Sequence, residues 1–132
     1  MEPRTHLQAD PRFCGTVVEL GEGSARVALE AIDSIVVDAQ GLVHGGFVFS
    51  LADYAAMLAV NEPNVVLGAA ETRFLKPVRR GDRLIASART IDAVGRKHQV
   101  RVEATVNSEK VFEGTFTCFV LERHVLGELG SK

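Results

Sequence analysis

The stretch from His44 to Val60, HGGFVFSLADYAAMLAV, holds a single acidic side chain, Asp53, in a run that is otherwise almost wholly apolar. Its length and composition predict a helix from about Gly45 to Val60 that is apolar on nearly every face. Such a helix belongs inside a protein rather than on it. An ionised carboxylate in that setting is costly unless something pairs with it. Asp53 is therefore the residue that any fold of this chain has to accommodate.

The 132 residues suit one domain, with 1–14 as an irregular lead-in and 122–132 as a tail. Hydrophobic residues make up 46%, enough for a core that such a helix can enter. The formal net charge of −2 gives no basis for a nucleic-acid partner. No apolar run reaches the ~18–20 residues of a membrane span, so no membrane partner is expected. The opening MEPRTHLQADPRF has no stretch that reads as a signal peptide. Cys14 and Cys118 are far apart and lack a metal-ligand spacing, as free thiols of a cytoplasmic protein would. No histidine pair has a zinc spacing either, so no metal is expected.

Around the helix the pattern is that of strands. Thr16–Leu20 and Ser24–Leu29 read as a hairpin turning at Gly21-Glu22-Gly23, where glycine allows a tight reversal. Pro63 disfavours helix at the residue before it and marks the helix end. Beyond it, Val65–Leu75, Asp82–Asp92, a strand through Val100–Val106, and Val111–Leu121 alternate apolar and polar residues. The order β-β-α-β-β-β-β is an α+β arrangement: one apolar helix and an antiparallel sheet that must wrap it. The helix carries more apolar surface than one such sheet easily covers, so a second copy is expected to cover the rest.

Helix start and aspartate have complementary chemistry. A helix beginning at Gly45 or Gly46 has free N–H groups at the positive end of its dipole. Without a Cβ there, a ligand can approach the backbone. These groups suit a carbonyl oxygen that is becoming negative. Asp53 beside such a group could act as general base or nucleophile on an activated acyl compound. A structural reading competes: Gly45-Gly46 as a sharp turn, His44 as a capping residue, Asp53 as an ion pair with Arg73 or Arg79. Gly45 and Asp53 are eight residues apart, ~12 Å along a helix. One small reacting group cannot touch both within one chain, so a shared site would take one residue from each of two subunits.

HGG followed by LAD, with the aspartate nine positions after the histidine, resembles the hotdog-fold acyl-CoA thioesterases of the phenylacetate-pathway type. FLKPVRRGDRL followed by a long alternating strand resembles them too, and the similarity runs over about residues 15–121. The resemblance implies a hotdog fold assembled as homodimers and often tetramers. It implies hydrolysis of acyl-CoA to free acid and CoA, with no cofactor beyond the coenzyme A of the substrate. Asp53 would be the base or nucleophile. The Gly45 amide, after His44 and beside Gly46, would be the oxyanion donor of the opposite subunit. Asp38 stands where many members have an asparagine. Leu67-Gly68-Ala69-Ala70 lacks the hydroxyl that many members carry early in this strand.

Phe47, Tyr54, Met57 and Phe74 would line an acyl tunnel. Lys76, Arg79 and Arg80, or Arg96 and Lys97, would meet the phosphates of coenzyme A, although charges at strand ends are often only solvated. The alternative is a domain that binds or senses acyl-CoA without cleaving it. Leu67–Leu84 also resembles the effector domain of a bacterial regulator of fatty-acid synthesis that binds malonyl-CoA. HGG and Asp53 together favour the enzyme, because a sensor has no need of them.

Overall fold

The computed structural model describes the backbone of residues 1–130 and the side chains of residues 1–127. Its elements are α1 (Pro11–Cys14), β1 (Thr16–Gly21), β2 (Ser24–Glu30), α2 (Gly45–Val60), β3 (Val65–Phe74), β4 (Arg83–Val94), β5 (Lys97–Val106), β6 (Glu109–Val120) and α3 (Val125–Gly130). The strands form one antiparallel sheet in the order β1-β2-β4-β5-β6-β3. The helix and all six strands fall where the alternation places them. The central strands are longer than expected, because the β4–β5 hairpin stays paired out to Val94 and Lys97.

The sheet curves around α2. Register shifts at Val17/Glu19, Leu67/Ala69, Thr90/Asp92 and Ala104/Thr105 supply the bends. On the concave face Val27, Leu29, Leu84, Val100, Val102, Phe112 and Phe116 are fully buried. Ala52, Ala55, Ala56 and Ala59 of the helix and Ala86, Ala88 and Ala104 of the sheet belong to the same core. Small residues on both surfaces let the helix lie close to the sheet at interior packing density. The alternate residues of β5 and β6 point outward into charge pairs such as Arg101–Glu113 (3.1 Å) and Lys110–Glu103 (2.8 Å).

The helix is not buried on every side. Phe47, Ser50, Asp53 and Tyr54 keep part of their surface open, a stripe at helical spacing. Asn61 ends the helix with a left-handed residue (φ 52°) whose N–H donates to the Met57 carbonyl. The stop is thus made two residues before Pro63.

The lead-in is more ordered than its sequence suggests. Asp10 caps α1 by accepting from the Arg12 N–H, and Thr5 is buried. Gly15 joins α1 to β1 at φ +98°, where a Cβ would lie 2.7 Å from the Ala28 carbonyl oxygen. Both the left-handed backbone and the contact penalise a side chain. Gly15→Ala should therefore cost about 3 kcal/mol, read as a lowered urea midpoint with an unchanged slope. The tail carries α3; Ser131 and Lys132 lie outside the described residues.

Candidate active site

The carboxylate of Asp53 opens on a cavity of about 410 Å³. Its Oδ1 is sequestered and has no hydrogen-bond partner. Burial pushes its pKa up from 3.8 to about 6. The neighbouring Cys118 thiol is pushed up to about 12, by its own burial and then by the Asp53 charge. The ion pair with Arg73 or Arg79 that would make Asp53 structural does not form: no ion pair among the described residues includes any of the three. A buried charge without a partner is unfavourable for folding. Such groups cluster at functional sites, where a perturbed pKa is useful.

Gly45 lies in a different cavity of about 330 Å³, between the helix start and Phe74, Pro77 and Val111. As the first helical residue its N–H has no intrahelical acceptor, and none is found elsewhere among the described residues. The Phe74 ring edge lies 3.4 Å from where a Gly45 Cβ would be. Gly46 has a separate role. A Cβ there would lie 2.9 Å from His44 Nε2, so its absence lets the imidazole fold over the helix start. The His44 ring then meets Phe47 edge-on at 5.9 Å. His44 makes no side-chain cap.

Gly45 at the helix start and Asp53 at its middle thus face two separate cavities. The Asp53 cavity is walled by Val65 and Leu67 at the start of β3. That strand start pairs with Val120, whose N–H donates to the Arg96 carbonyl. Arg96 and Lys97 therefore stand at the Asp53 end. Lys76, after the far end of β3, walls the Gly45 cavity; Arg79 and Arg80 follow it in the chain, Arg79 bridged to Leu42 of the same cavity wall and Arg80 packed against Gly41. Arg96 is tied to Glu122 (2.8 Å), Lys76 to Glu109 (2.8 Å) and Arg80 to Asp33 (2.6 Å). The Arg79 backbone N–H is held by Asp82.

Other expected site residues are placed elsewhere. Asp38 is exposed and turns its own loop, its Oδ1 accepting from the Gln40 and Leu42 N–H groups. Phe47 packs on Phe13 at 5.6 Å. Tyr54 stays half-buried on the open stripe, and Met57 is fully buried. Of the four aromatic or thioether side chains, only Phe74 walls one of these two cavities. Thr5, His6, Asn64 and His124 wall the Asp53 cavity, and no motif or spacing in the sequence marks them. Among the described residues no three His, Cys, Asp or Glu side chains come together as a metal site requires. No helix there is long and apolar enough to cross a membrane.

A long helix wrapped by a curved antiparallel sheet is the hotdog architecture. The chain belongs to the thioesterase superfamily, whose family model matches residues 40–113. It is 49% identical over 129 residues to the methylthioribose-1-phosphate isomerase of Aquifex aeolicus, covering 97% of this chain. It is 30% identical over 113 residues to the transcription factor FapR of Caldanaerobacter subterraneus, covering 85% of this chain. The chain spans 28% and 56% of the length of these two relatives. Among solved structures, an uncharacterized protein of Pyrococcus horikoshii superposes with a TM-score of 0.94 at 55% identity, covering 96% of this chain and 97% of that one. A mutant of the phenylacetic acid degradation protein PaaI from Thermus thermophilus superposes with a TM-score of 0.76 at 32% identity, covering 83% and 95%.

Proposed function

We propose that the protein hydrolyses acyl-CoA thioesters at a site shared by two copies of the chain. Asp53 of one copy acts as general base or nucleophile, and the Gly45 N–H of the other donates to the thioester oxygen. The observation that carries this reading is the buried, unpartnered Asp53 Oδ1 on an open cavity. Membership of the thioesterase superfamily supports the reaction class. The separate cavities of Gly45 and Asp53 within one chain support a shared site. So does the open helix stripe, which a second copy can cover. In an antiparallel pairing of two copies, the Gly45 end of one meets the Asp53 end of the other. Arg79 of one copy then joins Arg96 and Lys97 of the other around the entrance, as a substrate carrying phosphates requires.

The reaction needs an ionised Asp53. kcat/KM should therefore rise with pH through about 6 and level off above it. A profile flat from pH 5 to 8 would contradict that role. Because Arg96 is already paired with Glu122, Arg79 is the freer phosphate ligand. Arg79→Ala, and Arg96→Ala with Lys97→Ala, should each raise KM for coenzyme A esters more than for pantetheine esters. Equal effects on both esters would remove the phosphate contact.

The similarity to a transcription factor supports a second, non-catalytic reading, in which the chain binds an acyl-CoA without cleaving it, as the resemblance of Leu67–Leu84 to a malonyl-CoA-binding effector domain implies. Free thiol released from a panel of acyl-CoA esters separates the two. Binding without release of thiol would favour the sensor.

A further inference from the structure

We propose that Thr5 and His6, held in place by the residues before them, form a fixed wall of the Asp53 pocket, and that this wall selects acyl chains ending in an uncharged hydroxyl. The proposal rests on the reading above only in assigning the acyl chain to the Asp53 cavity.

The wall is held by the helix that carries Asp53. Asn61, the left-handed residue ending α2, is only 8% exposed. Both halves of its amide grip the lead-in: Oδ1 accepts from the Arg4 N–H at 2.7 Å, and Nδ2 donates to the Glu2 carbonyl at 3.0 Å. The next residue, Thr5, is only 4% exposed. His6 follows with φ 54°, an uncommon conformation for a residue with a side chain, which persists only where its surroundings hold it. Thr5 Oγ1 and His6 Nδ1 share a hydrogen bond at 2.8 Å. The clamp, the buried threonine and the held backbone turn fix where the imidazole stands.

The chemistry of the wall is mixed. Thr5, His6, Asn64 and His124 bring hydrogen-bonding groups to a cavity walled, apart from Asp53, by valine, leucine and proline. His124 Nδ1 accepts from the Leu126 N–H, so the neutral ring carries its proton on Nε2. The protein packed against its ring disfavours the protonated form of His6, although the residue keeps an exposed edge. These groups can donate to and accept from a neutral oxygen. An alkyl end would cover these groups without offering a hydrogen bond in return, and a site that binds a hydroxyl discriminates against a ligand lacking it. A carboxylate end would share the cavity with the Asp53 charge and be repelled. A neutral hydroxyl satisfies both conditions.

Three esters of one chain length test this: hexanoyl-CoA, ω-hydroxyhexanoyl-CoA and adipoyl-CoA. kcat/KM is measured for the wild type, His6→Leu and Asn61→Gly. Glycine keeps the left-handed helix end while releasing the lead-in. Affinities are measured in parallel by calorimetry, in the Asp53→Asn background. The wild type should favour the hydroxyacyl ester over hexanoyl by about tenfold or more, and over adipoyl as well. Both variants should bring the hydroxyacyl-to-hexanoyl ratio down towards one. Asp53→Asn should relieve the discrimination against adipoyl selectively. A wild-type ratio near one, or a ratio unchanged in both variants, overturns the proposal. If none of the esters is turned over, the hydrolase reading fails and the ratios are read from the affinities. No measurable binding of any ester overturns both.

Discussion

Asp53→Asn is expected to abolish thioester hydrolysis and, at the same time, to stabilise the protein. The two effects have one cause. Asparagine keeps the shape of the side chain but can neither accept a proton from water nor attack a carbonyl. It also removes a charge that the fold leaves without a partner. Burial raises the Asp53 pKa from 3.8 to about 6. The unfolded chain therefore loses this proton at a lower pH than the folded one. Ionising Asp53 works against folding, and stability is lost as pH rises from about 4 through 6. A shift of that size corresponds to about 3 kcal/mol at neutral pH. The asparagine amide is itself poorly satisfied in the same place, so the net gain is about 1–3 kcal/mol. Urea unfolding at fixed protein concentration checks this at two pH values. The variant should be the more stable at pH 7.5, and its advantage should fall by about 3 kcal/mol, to zero or below, as the pH drops past 4. Retained turnover, or a variant less stable at pH 7.5, would contradict the assignment. Loss of activity with gain of stability is the signature of a residue kept for chemistry rather than for folding.

Gly45→Pro is expected to lower kcat/KM by about 10²–10³ while leaving the fold intact. Proline removes the one N–H assigned to the oxyanion. Gly45 is the first residue of the helix, the position where proline is best tolerated because its N–H has no intrahelical partner. His44, the residue before it, has φ −65° and ψ 129°, the extended conformation that proline requires of its predecessor. The substitution thus deletes a donor at little conformational cost. Circular dichroism and the melting temperature should be close to those of the wild type. Full activity would mean that the Gly45 N–H does not contact the reacting group.

Much of this architecture is legible in the sequence. The apolar run around Asp53 is long, bounded by glycines and proline, and without charged residues besides Asp53. Period-two alternation in Val100–Val106 has no competing reading. The ~12 Å separation of Gly45 and Asp53 along the helix also follows from helical rise alone. What the sequence conceals is whatever depends on tertiary closure. The lead-in carries two prolines and little apolar character, and nothing local announces that Asn61 will clamp it. His6 and His124 are 118 positions apart and meet only because both chain ends return to the start of β3. Asp38 reads as a second carboxylate for the site, yet it lies in a loop whose free N–H groups it satisfies. Gly46 reads as part of a ligand-approach motif, but its missing Cβ makes room for the His44 ring.

Subunit mixing tests the shared site most directly. Asp53→Asn and Gly45→Pro chains are each assayed alone, then unfolded together in equal amounts, refolded and assayed again. If each site draws Asp53 from one copy and Gly45 from the other, half of the dimers are mixed. Each mixed dimer then carries one intact site and one doubly damaged site. The mixture should recover about a quarter of wild-type activity from two almost inactive parents. If both groups serve a site within one chain, no mixed dimer has an intact site, and the mixture stays as inactive as its parents.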